Sequence, residues 1–233
     1  MRVVVLIPAY NEEEHIAETL SAVDSLVSVS EIVVVDDGST DSTYSVASNC
    51  HLECKLSVLR MERNSGKGGA LNYGRQKVAG DVYLLLDADL GSTARLAHDL
   101  LQPVLRDEAD MTVAQFGSQQ SASGTKMGFG VARFLASMGV RFLTGKKVTS
   151  PLSGQRAIKV EVLEQVGEFA PGFGVEVALT VGALHHGFRV LEIPVAMKHR
   201  ALGRGLRGMR HRGRQLVQVL LALRHCWKKE WHR

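Results

Sequence analysis

Residues 87–89 read Asp-Ala-Asp, directly after the apolar run Val82, Tyr83, Leu84, Leu85, Leu86. Two carboxylates one residue apart at the end of an extended segment point to the same side. Paired oxygens at short range suit a hard divalent cation, and such a cation suits a diphosphate. The alternative is a pair of solvated loop acids capping the next helix. Three other apolar runs end as abruptly in polar residues: Val3–Ile7 in PAYNE, Ile32–Val35 in DDGSTD, and Leu56–Met61 in RNSGKGGA. Gly66-Lys67-Gly68-Gly69 lacks the Walker spacing and the Ser or Thr after lysine, which argues against a P-loop NTPase.

These clusters need elements to position them. Val3–Ile7 reads as a strand buried on both faces and Ile32–Val35 as a second buried strand, with Leu56–Met61 and Val82–Leu86 the third and fourth strands. Between them, Glu12–Val27 has helical spacing, with Ile16, Leu20, Val23 and Val27 on one stripe. A second helix runs through Ala47, with Ser39, Thr40 or Asp41 at its N-cap, and a third from about Ala70 to Val78. Asn72 and Gly74 are assigned to helix packing, and Glu13 and Glu14 to a solvated first helical turn. This βαβαβαβ order implies an α/β fold, a doubly wound and mostly parallel sheet with helices on both faces. Ligands of such sheets bind beyond the carboxyl ends of the strands, near the topological switch point, where all four polar clusters fall.

Together PAYNEEEHI, EIVVVDDGSTDST, RNSGKGGALNYGRQKVAGD and LLLDADL resemble the family-2 glycosyltransferases of the GT-A fold. The resemblance implies transfer of a sugar from a UDP- or GDP-linked donor, with Mg²⁺ or Mn²⁺ as cofactor. It places Asp87 and Asp89 at the metal and diphosphate, Asp89 also among the catalytic residues. Pro8, Ala9, Tyr10, Asn11 and Glu12 become a first nucleotide loop, with Glu12 toward the ribose. Asp36 or Asp37, next to Gly38, would accept a hydrogen bond from the base, while Lys67 and Ala88 would contact the nucleotide sugar.

The second half is expected to choose the acceptor. Asp110–Phe116 reads as a strand, residues 117–126 as a mobile loop, and Met127–Leu143 as a helix with Phe134, Met138 and Phe142 in register. SGQRAIKVEVLEQVG resembles the family's strand leading into a short helix. GFGVEVALTVGALHHGFRVLEIPV resembles the segment that sets an acid at a helix start, before a strand at Arg189–Val195. Glu176 is that acid, able to act as a base on a hydroxyl acceptor if it lies within reach. A phosphate acceptor needs no base, only cations. Arg200, Arg204, Arg207, Arg210, Arg212 and Arg214 crowd one glycine-rich segment suited to phosphate oxygens, and His199 is a further metal-ligand candidate by resemblance.

The charge is unevenly spread. From Ala196 to Arg233 there are eleven Lys and Arg against one acid, Glu230, while the rest of the chain holds 17 basic and 23 acidic residues. A basic tail on a mildly acidic body calls for an anionic partner. Residues 1–200 are expected to form the catalytic domain, and 201–233 a basic segment with a terminal helix. In that helix Leu216, Val219, Leu220, Leu223 and Trp227 form an apolar stripe, which could lie in a membrane interface, pack on the body or make a homodimer contact. Whole-chain resemblance is to polyprenyl-phosphate sugar synthases, without a membrane-spanning extension. GFGVEVALT and HRALGR instead resemble glucosyl-phosphoglycerate synthases, so the expected acceptor is polyprenyl phosphate or a small phosphorylated acid. Aromatics at 6% and the absence of a stacking platform argue against nucleic acid. PAYNEEE, where a nucleotidyltransferase would carry a basic Gly-rich loop, argues against that class. Cys50, Cys54 and Cys226 make no disulfide framework, and MRVVVLIPAYNE lacks a signal-peptide cleavage pattern, so a cytoplasmic location is expected.

Overall fold

A computed structural model describes residues 1–116, 129–170, 174–197, 217–224 and 226–227. Seven strands form one sheet: β1 (Val3–Ala9), β2 (Glu31–Asp36), β3 (Lys55–Arg60), β4 (Val82–Leu85), β5 (Met111–Phe116), β6 (Arg156–Lys159) and β7 (Val190–Val195), in the order β3-β2-β1-β4-β6-β5-β7. All neighbouring pairs are parallel except β4–β6 and β5–β6, so β6 alone runs against the rest. The order turns back between β1 and β4, which opens a crevice beyond the carboxyl ends of those two strands.

Helices cover both faces. Val3, Val5 and Ile7 pack with α1 (Ile16–Asp24), α2 (Thr43–Ser48) and α4 (His98–Leu105). The alternate residues Val4 and Leu6 pack with α3 (Gly66–Lys77), α6 (Val160–Val166) and α7 (Val175–His185). Continuous apolar runs are needed in β1, β2 and β4, which are buried on both sides, whereas the edge strand β3 is half-buried. A third cluster joins α5 (Phe129–Thr144), α7 and the helix from 217 to 224 through Val140, Val181 and Val219.

Several boundaries differ from the sequence reading. The first helix ends at Asp24, whose carboxylate accepts from the Glu53 and Cys54 amides at 2.9 Å each, and Val27 beyond it is fully exposed. Helix α3 begins at Gly66, four residues early, because Asp37 caps it: Asp37 Oδ1 accepts from the Ser65 amide at 2.7 Å and Oδ2 from the Gly66 amide at 2.8 Å. In α5 the in-register Phe134, Met138 and Phe142 point outward, and Ala132, Ala136 and Val140 form the buried line. The terminal stripe also divides. Val219, Ala222 and Cys226 are buried, Leu220 and Trp227 are exposed, and Leu216 lies outside the described residues, as does the expected loop at 117–126.

Candidate active site

The first two polar loops are laced together. Asn11 takes a left-handed conformation (φ 57°), which lets its Oδ1 accept from the Thr40 amide at 2.9 Å while its own amide donates to Ser39 Oγ at 3.0 Å. The Glu12 amide donates to Thr43 Oγ1 at 2.8 Å, and Glu13, expected in solvent, accepts from the Ser42 amide at 2.8 Å. These bonds fix the loop carrying Pro8, Ala9, Tyr10, Asn11 and Glu12 against the one carrying Asp36, Asp37 and Gly38. Asp41 Oδ1 accepts from the Thr43 amide at 3.0 Å, so it caps the second helix and releases Asp36 and Asp37 from that task.

Asp36 and Asp37 are both buried at the end of β2. Asp36 Oδ1 accepts from the Ser39 amide at 3.0 Å, and Oδ2 lies 3.4 Å from Arg60 Nε without a hydrogen bond among the described residues. Burial raises the Asp37 carboxyl above its ordinary value, with the Asp36 charge adding to the effect and the two α3 amides opposing it. An open cleft of about 460 Å³ lies here, lined by Gly38, Ser39, Arg60, Met61 and Glu62. Gly38 has φ 70°, and a Cβ there would lie 2.9 Å from the Arg63 carbonyl carbon and the Asn64 nitrogen, so only glycine fits.

Beyond β4 the chain keeps an in-and-out alternation. Leu86, Ala88 and Leu90 are buried, whereas Asp87 and Asp89 are half-buried. Thr19 of α1 holds this turn, donating to the Ala88 carbonyl at 2.8 Å and accepting from the Gly91 amide at 2.9 Å. Lys67 Nζ donates to Asp87 Oδ1 at 2.6 Å and stands 3.1 Å from Glu176 Oε1 in the first turn of α7. Burial alone would lower the Lys67 ammonium, but the charges of Asp87 and Glu176 reverse this and hold it above the ordinary lysine value. Lysine and both acids therefore meet at one point, joining the first half of the chain to the second.

Sequence reasoning missed Gln155 and Arg156. Gln155 Nε2 donates to Asp87 Oδ2 at 2.6 Å. Arg156 is almost wholly buried and donates to the Ser153 carbonyl at 2.8 Å, the Pro151 carbonyl at 3.1 Å and Thr180 Oγ1 at 2.8 Å. Thr180 in turn donates to the Glu176 carbonyl at 2.8 Å. Burial pushes the guanidinium down to about 10, so it stays charged at neutral pH. It ties the 151–155 turn to α7 and so sets Gln155 and Glu176 relative to each other. The available signal was an arginine directly before the apolar pair Ala157-Ile158 of a short strand, where burial of a charge demands a reason. Asn72, expected in packing, exchanges two hydrogen bonds with the Phe169 backbone, and Gly74 packs against Val35. His199, Arg200, Arg204, Arg207, Arg210, Arg212 and Arg214 lie outside the described residues.

Two half-buried carboxylates within one turn are oxygen donors that suit a hard cation such as Mg²⁺ or Mn²⁺, with ligand oxygens and water completing the set. Among the described residues no group of three His, Cys, Asp or Glu converges to enclose a metal by itself. The arrangement thus fits an ion shared with a bound diphosphate rather than a closed structural site.

A mixed sheet with four polar strand ends around its switch point is the architecture of a nucleotide-sugar transferase, and the chain belongs to glycosyl transferase family 2, whose pattern it matches over residues 4–167. It is 32% identical to a polyprenol monophosphomannose synthase of Mycolicibacterium smegmatis over 87% of this chain and 79% of that one. It is 29% identical to a dolichol-phosphate mannosyltransferase of Pyrococcus furiosus, covering 87% of this chain and 58% of the longer archaeal enzyme. In structure it resembles the GT-A glucosyl-3-phosphoglycerate synthase of Mycobacterium tuberculosis in complex with Mn²⁺, UDP and phosphoglyceric acid. That likeness has a TM-score of 0.76 at 28% identity, over 97% of this chain and 78% of that one. The same enzyme is also known with Mg²⁺ and UDP.

Proposed function

We propose that this chain transfers a glycosyl group from a nucleoside diphosphate sugar to a phosphate-bearing acceptor, with polyprenyl phosphate the first candidate. The observation that carries the reading is the meeting of Lys67 with Asp87 and Glu176. It brings an acid from the first half of the chain and an acid from the second half within ion-pair distance of one ammonium group. The relatives named for polyprenyl phosphates support the choice of acceptor.

In this reading the loop Pro8–Glu12 and the buried pair Asp36 and Asp37 hold the nucleoside, with Gly38 beside it, and one of the two aspartates accepts from the base. Asp87 and Asp89 face the diphosphate, with Ala88 buried between them. A divalent cation bound there would supply the charge that stabilises the departing diphosphate. Lys67 is the chain's own cation at that point, and Gln155 fixes the Asp87 carboxylate. The acceptor's phosphate oxygen bonds to the sugar's anomeric carbon as the bond to the diphosphate breaks. A phosphate oxygen already ionised at neutral pH needs no proton removed, so Glu176 then positions Lys67 rather than acting as a base. The arginines from Arg200 to Arg212, with His199 before them, are assigned to the acceptor phosphate and the metal on sequence alone.

The likeness to glucosyl-3-phosphoglycerate synthase favours a second reading, a small phosphorylated acid as acceptor. The test is transfer from radiolabelled UDP- and GDP-sugars into lipid and aqueous acceptor extracts. Label in an organic-phase, acid-labile product supports the polyprenyl acceptor. Label confined to an aqueous anionic product overturns it in favour of the phosphorylated acid.

A further inference from the structure

Eight of the twelve large apolar side chains exposed among the described residues belong to two neighbouring helices, α5 and the terminal helix. The other four, Met1, Tyr10, Val27 and Leu191, are scattered, as single exposed apolar residues normally are. Clustering on this scale marks an interaction surface.

The two helices meet where Gly139 faces Leu223. A Cβ at Gly139 would lie 2.4 Å from Leu223 Cδ1, so the helices approach closely here and a larger residue would displace the leucine. Successive residues of a helix are about 100° apart, which fixes what lies on each side of the seam. On α5, the turn from the buried line of Ala132, Ala136 and Val140 passes Gly139 and then reaches Phe134, Met138 and Phe142, which are 62%, 53% and 79% exposed. On the terminal helix, the turn from Val219, Ala222 and Cys226 passes Leu223 and then reaches Leu220 and Trp227, with Leu221 beyond. Both outward stripes therefore flank the same seam.

The charge carried by the segments that build this surface has one sign. Residues 129–155 and 217–227 contain no Asp or Glu, while Arg133, Arg141, Lys146, Lys147 and Arg224 are all exposed. An apolar strip with a Trp and a basic rim is the composition of a helix surface that lies in the headgroup region of an anionic bilayer. A second copy fits poorly, because two-fold pairing brings two predominantly basic rims together, with Glu192 engaged by the Thr149 and Ser150 amides. No helix among the described residues is long and apolar enough to cross a membrane, so the surface would lie on the bilayer rather than through it.

We propose that the α5–terminal-helix seam docks this enzyme on anionic lipid bilayers. This docking does not depend on which acceptor is used, since a water-soluble acceptor would leave it standing. Flotation with phosphatidylcholine vesicles, with and without phosphatidylglycerol and with no substrate present, tests it. The wild-type chain should float with the anionic vesicles, less so as salt rises. Phe134→Asp combined with Phe142→Asp should weaken this by about tenfold or more through lost interfacial burial. Lys146→Glu with Lys147→Glu should weaken binding to anionic vesicles only. Val27→Asp, a fully exposed position on neither helix, serves as the control and should change nothing. Circular dichroism of each variant confirms folding. The proposal is overturned if the wild-type chain fails to float, or if the Phe134/Phe142 variant floats as well as wild type. It is equally overturned if sedimentation shows a dimer that this variant splits and lipid affinity is absent, which would make a second copy the occupant.

Discussion

The two edges of the sheet treat their carboxylates in opposite ways. At the edge where β5 and β7 begin, acids meet cations. Asp110 receives Arg189 Nε at 3.1 Å and Nη2 at 2.8 Å, Lys159 contacts both Asp107 and Asp110, and Asp107 also receives Arg189. Glu31, at the start of β2 four strands across the sheet, takes Arg2 Nη2 at 2.6 Å and Lys55 Nζ at 3.0 Å. At the edge where β1, β2 and β4 end, neutral groups hold much of the load: Asp37 accepts two backbone amides, Asp36 one, and Asp87 the Gln155 amide as well as Lys67. Amide donors stabilise a carboxylate without cancelling its charge. One edge is a neutralised clasp, and the other is a negative basin that a cation and a diphosphate can enter together.

The largest effect should come from the basin. Asp89→Ala is expected to lower kcat by about 10²–10³-fold, as removal of one transition-state electrostatic group does elsewhere, while the thermal midpoint stays close to wild type. Steady-state kinetics beside a melting curve reads both at once.

Lys67→Met should lower turnover and also destabilise the ligand-free protein by about 2 kcal/mol, below the full cost of breaking a buried pair because Asp87 is partly exposed. Urea unfolding measures this, and adding Asp87→Asn should recover part of the loss. A Lys67→Met variant as stable as wild type would mean that the three groups do not interact as described.

Gly154→Ala sharpens the comparison further. Its Cβ would lie 2.3 Å from Lys67 Nζ, the mobile end of a side chain, so the lysine moves and the fold stays. Turnover should fall about tenfold, the cost of misplacing a positioned charge, with little change in melting temperature.

The smallest effect is in pH dependence, and the two edges should differ in sign. Arg189 and Lys159 hold the Asp110 carboxyl well below its ordinary 3.8. Its stabilisation is present above the unfolded value and is lost as pH falls through the folded one. Burial raises Asp37 above 3.8, so its charge weakens the fold at neutral pH, and that penalty is relieved as pH falls through its raised value. In urea titrations, Asp110→Asn should flatten the acid loss of stability, and Asp37→Asn should steepen it. Equal slopes in both variants would erase the distinction between the edges.

The basin was largely legible in the sequence because each strand there is an unbroken apolar run that stops at a polar turn, as in VVVLI before PAYNE. Two-sided burial leaves that pattern little freedom. The second half was harder to read for physical reasons. Periodicity finds a stripe on a helix but not the direction it faces, so the in-register Phe134, Met138 and Phe142 carried no sign that they point outward while Ala132 and Ala136 are buried. Gln155 reaches Asp87 only because β6 runs antiparallel beside β4, a pairing no local pattern announces. The capping of α3 by Asp37 links residues 28 and 29 apart and was invisible for the same reason.

We propose that Asp87 and Asp89 form a negative site that a divalent cation and a nucleoside diphosphate complete together. Calorimetric titration of Mn²⁺ into the protein, with and without UDP or GDP, tests it most directly. Binding should tighten markedly with the diphosphate and disappear in Asp87→Asn/Asp89→Asn. Undiminished Mn²⁺ affinity in that double variant would contradict the account.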